Sequence, residues 1–207
     1  MPYRSAFEQV KTAGWKKILW SGSAGVLFTL VYRALQAQTW RPAAMRAECV
    51  SWSWLPFDAW WVWPYLSMFA LVGAAWASLP DRRAVERFFG SMLAVAAVGW
   101  VCFLLWPTGC VRPAVAEPSL AYRWLVALDG PTNCFPCLHS AFSVLAAASL
   151  ARSWSFAWRG CALLGVWVAV IAVSIVALRQ HTDLDTLAGV ALGAAGAWFD
   201  RRGAIND

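Results

Sequence analysis

Long apolar runs alternate with short polar segments along the chain. Six of them approach the roughly 20 residues that a helix needs to cross a hydrocarbon core. They fall at residues 18–36, 59–79, 88–106, 137–151, 160–178 and 182–199. The pattern predicts an all-α, polytopic membrane protein, with residues 1–207 forming one domain of six transmembrane helices. The fourth run is short and the sixth is rich in Gly and Ala. Small residues allow close helix approach, so both are expected inside the bundle. Pro64 within the second run predicts a kink. Between Glu117 and Asp129, the residues Leu120, Trp124, Leu125 and Leu128 form an apolar stripe at helical spacing. That segment is expected to lie along the interface as an amphipathic helix. No internal repeat or linker interrupts the pattern.

Composition agrees with this reading. Apolar residues make up 60% and charged residues 14%, against about 45–50% and about 25% in soluble domains. Trp52, Trp54, Trp60, Trp61 and Trp63 cluster where an interfacial belt is expected. The net charge of +6 does not indicate nucleic acid, because the basic residues sit in short loops between apolar runs. Arg4, Lys11, Lys16, Lys17, Arg82, Arg83, Arg87, Arg152, Arg159, Arg201 and Arg202 would share one side. Arg33, Arg41, Arg46, Arg112, Arg123 and Arg179 would lie on the other. The positive-inside rule then places both termini in the cytoplasm of an inner-membrane protein. Leu35 is a poor residue for signal cleavage after Ala37, so the first run is expected to remain as an anchor.

Ionisable groups near membrane depth are functional candidates. The chain has two His, and His139 and His181 both begin predicted spans at the outer face. Asp185 follows His181 by four residues, so on a helix the two side chains share a face. A carboxylate accepting Nδ1–H would leave Nε2 as nucleophile or base. Arg112, Arg123 and Arg179 are the nearby cations for phosphate oxygens. His139, His181 and Asp185 could alternatively hold a metal, or could make ordinary structural contacts. No further outer-loop residues read as metal ligands, so no metal or other cofactor is expected. Cys102 and Cys161 read as small buried hydrophobes. Cys134 and Cys137 form a lone CxxC, a weak metal or redox signal. Cys49 and Cys110 fall in outer segments where an oxidising compartment would permit a disulfide.

Arg112-Pro113, the run Asn133-Cys134-Phe135-Pro136-Cys137-Leu138-His139-Ser140, and Ser174-Ile175 with His181 and Asp185 together resemble the type 2 phosphatidic acid phosphatase (PAP2) superfamily. The branch they most resemble contains inositol phosphorylceramide and sphingomyelin synthases. The resemblance covers about residues 100–199. It implies a six-helix bundle of PAP2 type in which His181 attacks phosphorus, His139 protonates the leaving group and Asp185 orients His181. Arg112 and Ser174 match motif positions, Arg179 is the candidate to replace a missing motif cation, and Arg123 is a further nearby cation; these four form the expected phosphate-binding set. Three positions depart from the family motifs: Leu105 replaces a Lys, Cys137 a Ser and Ile175 an Arg. The resulting expectation is a metal-independent lipid phosphatase acting at the outer face on a lipid phosphate monoester or pyrophosphate. Its partners would be that substrate and membrane lipids, without nucleic acid. A headgroup phosphotransferase and a non-catalytic protein of the same fold are the alternatives.

Overall fold

The computed structural model describes residues 14–37, 44–46 and 55–206. Cys49, Trp52 and Trp54 lie outside the described residues. Helices stand at each of the six apolar runs: α1 (Gly14–Gln36), α2 (Val62–Ser78), α3 (Arg82–Leu105), α5 (Leu138–Ser153), α6 (Trp158–Ala177) and α7 (Asp183–Asn206). The amphipathic segment forms α4 (Leu120–Leu128). Strands β1 (Ala44–Arg46) and β2 (Thr108–Cys110) pair in parallel. By length and composition, α3 and α6 can each cross a membrane. Their outward faces are apolar: Val98, Val101, Leu163 and Val166 are all exposed. Such a surface suits hydrocarbon better than water.

The short helix α5 is buried on all sides, as its size and composition predict. Ser140, Ala141, Leu145 and Ala146 each have at most 1% exposure, and α5 packs against α2, α3, α6 and α7. The seam with α7 is the tightest. A Cβ on Gly189 would meet the Cys137 carbonyl oxygen at 2.1 Å, and one on Gly193 would meet the Ala141 carbonyl oxygen at 2.3 Å. The pair repeats every four residues along one face of α7, as in small-residue membrane helix contacts. At the far end of the seam, the guanidinium of Arg152 on α5 pairs with the Asp200 carboxylate on α7.

Two sequence expectations change. Pro64 is the third residue of α2. There it lacks only an N–H that would have had no partner inside the helix, so it starts the helix and does not kink it. Cys161 is exposed on α6, where its thiol donates to the Phe156 carbonyl, while Cys102 is partly buried. On α4, Leu120, Trp124 and Leu128 are exposed, whereas Tyr122 and Leu125 enter the core. The helix therefore lies on the bundle with an apolar outer stripe.

Candidate active site

His139 and His181 come from different helices and meet at one end of the bundle. His139 is the second residue of α5, and His181 precedes the first residue of α7 by two. Three local features hold them there. Helix α6 ends in a Schellman pair, with the Gln180 N–H donating to the Ile175 carbonyl and the Arg179 N–H to the Val176 carbonyl. Arg179 occupies the left-handed position of that motif at φ 55°, where Gly is usual, and the chain turns sharply into His181. The Thr182 N–H donates to the Asp185 carboxylate at 2.8 Å, while the Asp185 N–H donates to the Thr182 hydroxyl. This capping-box exchange satisfies donors at the start of α7. Finally, the Cys137 N–H donates to the Asp185 carbonyl, and the Ser140 hydroxyl lies 3.0 Å from the Thr186 carbonyl. These contacts tie the two helix starts together.

The rings face each other, with His139 Nδ1 3.3 Å from His181 Nε2. His181 Nδ1 lies 2.8 Å from the Cys134 carbonyl oxygen. A carbonyl only accepts, so Nδ1 carries the proton and Nε2 is turned toward His139. The sequence reading gave the Nδ1 contact to Asp185. In the fold, the Cys134 carbonyl accepts at Nδ1, and an Asp185 oxygen caps the helix at Thr182. On the other side, His139 Nε2 lies 2.7 Å from the Tyr65 hydroxyl, which in turn reaches Asp129 Oδ2 at 3.2 Å. The carboxylate is the stronger acceptor, so Tyr65 donates to Asp129 and accepts from His139.

Asp129 is the residue that sequence reasoning missed. It is 6% exposed and accepts from the Tyr32 hydroxyl at 2.6 Å. The Arg112 guanidinium stands 3.7 Å from its Oδ2 and donates to the Asp129 and Gly130 carbonyls. Burial works to raise the Asp129 carboxyl, but His139, His181, Arg112 and the Tyr32 hydroxyl outweigh it and hold the group below the usual carboxylate value. An acidic residue just before Gly130-Pro131 in a predicted outer loop was the available signal. For His181, burial opposes a charge, yet the Cys137 sulfur and the carboxylates of Asp129 and Asp185 push it well above the ordinary imidazole value.

Of the four implied phosphate ligands, Arg112 stands with the histidine pair through Asp129. Arg179 donates to the Leu55 carbonyl at 2.8 Å, and exposed Arg123 donates to the Pro118 carbonyl. Ser174 is fully buried, with its hydroxyl 2.6 Å from the Ile171 carbonyl of its own helix. Ile175, where the motif has Arg, is also fully buried among apolar residues. Leu105 is 68% exposed at the end of α3.

A crevice of about 300 Å³ leads from His139 and Asp129 between α1, α2 and α5. Its wall is apolar beyond the polar head, with Phe28, Leu66, Phe69 and Phe142 among the lining residues. A second cavity of about 170 Å³ shares Phe28, Met68, Phe69 and Phe142 and extends toward Val72 and Phe89.

A helical, membrane-associated bundle with a paired-histidine site at one end defines the class of protein. A model of the PAP2 superfamily matches residues 85–202, more than half of the chain, and the protein belongs to that superfamily. Comparison with curated proteins and with solved structures gives no match.

Proposed function

We propose that the protein is a membrane lipid phosphatase that acts on a phosphate monoester or pyrophosphate through a phosphohistidine on His181. The observation that supports this reading is the facing pair, His139 Nδ1 and His181 Nε2 at 3.3 Å, with His139 and Asp129 lining the polar head of an apolar crevice. His181 Nε2 attacks phosphorus while the P–O bond to the lipid breaks. His139 gives its Nδ1 proton to the departing oxygen. Water, deprotonated by His139, then cleaves the P–N bond and releases phosphate. His181 is only 3% exposed, so the phosphoryl group enters by separating the two rings. Arg112 and the starts of α5 and α7 supply positive potential for the phosphate oxygens. The crevice and its extension suit an acyl or prenyl tail.

Six membrane crossings, with the site on the outer side of the inner membrane and both termini cytoplasmic, complete the proposal. Arg152 and Arg201 stand at the ends of α5 and α7 opposite the histidines, which fits the charge bias. Reporter fusions near residue 131 that report cytoplasmic would overturn this sidedness. The reaction itself is tested with purified protein and a panel of lipid phosphates, reading free phosphate and lipid products together. Phosphate release that persists in a chelator is expected. Headgroup transfer to an added lipid alcohol without free phosphate would favour a phosphotransferase, and no turnover on any lipid would favour a non-catalytic protein.

Two further results are expected. Tyr65→Phe removes the hydroxyl that bridges His139 and Asp129 without emptying the core, and should lower kcat by about 10-fold or more with little change in KM. The acid limb of kcat/KM should lie above the ordinary imidazole range, because attack requires neutral Nε2 and nearby anions hold the proton on His181. Removing one of those anions in Asp185→Asn should move that limb to lower pH. A limb that stayed in place would show that the carboxylate does not act on His181 electrostatically.

A further inference from the structure

Cys137 is not used by the chemistry above, yet its sulfur lies beside both histidines. One ligand atom from each of Cys137, His139 and His181 can be chosen so that all three lie within 4.8 Å of one another. We propose that these three residues form a zinc site whose occupation blocks phosphoryl transfer. The blocking half rests on the function proposed above, and the binding half does not.

Four observations support the site. First, the donor set is one that zinc favours: a thiolate and two imidazole nitrogens, with a fourth position for water or a phosphate oxygen. Second, the spacing fits. Two Zn–N bonds of about 2.0–2.1 Å at a tetrahedral angle place their nitrogens about 3.3–3.4 Å apart, and His139 Nδ1 and His181 Nε2 are 3.3 Å apart. Third, the outer nitrogen of each ring is already anchored: His181 Nδ1 to the Cys134 carbonyl, and His139 Nε2 to the Tyr65 hydroxyl and through it to Asp129. Such partners fix the tautomer that presents a lone pair to a metal. Fourth, the superfamily motif has Ser where this chain has Cys137. A neutral hydroxyl is a poor zinc ligand, whereas a thiolate is a strong one, so this departure is what completes the set.

In the resting protein, one proton between the ring nitrogens serves the pair. Zinc replaces it, and that proton leaves to water as the metal binds the thiolate and the two ring nitrogens. The lone pair of His181 Nε2 is then committed to the metal and cannot attack phosphorus.

The test uses full-length, metal-stripped protein in detergent, titrated first with Co²⁺ and then with Zn²⁺. One equivalent of cobalt should produce a sulfur-to-cobalt charge-transfer band and intense visible bands of tetrahedral geometry, and zinc should bleach both. Cys137→Ser should lose the charge-transfer band and bind zinc at least about 100-fold more weakly, since even a second-shell loss costs about 10–100-fold. Cys134→Ser, which leaves the three ligands in place, should keep it. Zinc should inhibit the wild type reversibly, with chelator restoring turnover, and the half-inhibitory zinc concentration should rise by the same factor in Cys137→Ser. Size-exclusion profiles matching the wild type show that each variant is folded. No tetrahedral cobalt spectrum in the wild type, or an unchanged spectrum in Cys137→Ser, would overturn the site. Zinc bound at full occupancy without inhibition would overturn the blocking role. A cobalt spectrum from a protein without turnover on any lipid phosphate would uphold the site while sinking the phosphatase reading.

Discussion

His181→Ala should abolish turnover and any acid-labile phosphoenzyme, because it removes the atom that attacks phosphorus. His139→Ala should behave differently. A positioned general acid contributes about 10²–10⁴-fold, so a measurable residual rate is expected. Leaving-group acidity separates the two. A lipid alkoxide departs poorly unprotonated, whereas an aryl oxide needs little help. An aryl phosphate should therefore recover much of the rate lost in His139→Ala and none of that lost in His181→Ala. The contrast is informative because the two nitrogens face each other at 3.3 Å, so a phosphoryl group admitted between the separated rings would meet both proposed roles. Equal responses of the two variants to leaving-group acidity would show that the division of labour is wrong, and rescue of His181→Ala alone would reverse the roles.

Gly189→Ala should cost both stability and activity, although it adds a single methyl group to a residue with no part in the proposed chemical steps. The new Cβ would meet the Cys137 carbonyl oxygen at 2.1 Å and the Ser140 hydroxyl oxygen at 2.2 Å. The carbonyl belongs to Cys137, the residue that caps the start of α5, so relief requires α5 to move away from α7. That movement separates His139, carried by α5, from His181, fixed just before α7. Overpacking of this kind costs about 1–3 kcal/mol, and each kcal/mol lowers Tm by about 2–4 °C in a chain of this size. Gly165→Ala is the control. Nothing lies within 4 Å of a Cβ at that position, and Ala is a better helix former than Gly, so Tm should hold or rise. Thermal unfolding in detergent and turnover on one substrate check both variants. Equal Tm for Gly189→Ala and wild type would show that the seam yields freely.

Helix positions were legible because hydrophobic runs and small-residue content are local properties of the chain. The apolar runs gave α1, α2, α3, α5, α6 and α7, although α3 starts at Arg82 and α7 continues to Asn206, both beyond the apolar runs, and the stripe from Leu120 to Leu128 gave α4. Pro64 was misread as a kink because its effect depends on where the helix begins, and α2 begins only at Val62. The two histidines stood out because a chain so poor in charge has few groups able to do chemistry. Their partners did not stand out. Tyr32 and Tyr65 lie 97 and 64 residues from Asp129 in the chain, and Cys134 lies 47 from His181. Such contacts depend on how helices pack, which no spacing along one helix encodes. The same holds for the cations. Arg112, Arg123 and Arg179 read alike as charges on the outer side, but carbonyls 18 and 124 residues away in the chain turn Arg112 and Arg179, whereas Arg123 bonds locally to the Pro118 carbonyl. Sequence alone thus pointed to a helical, membrane-associated protein of the PAP2 superfamily with two candidate histidines. Tertiary structure alone decided that their rings face each other at 3.3 Å, that Asp129 supports one of them, and that the Cys137 sulfur sits beside both. The physical reason is that periodicity and charge act along the chain, whereas ring orientation is set by packing across it.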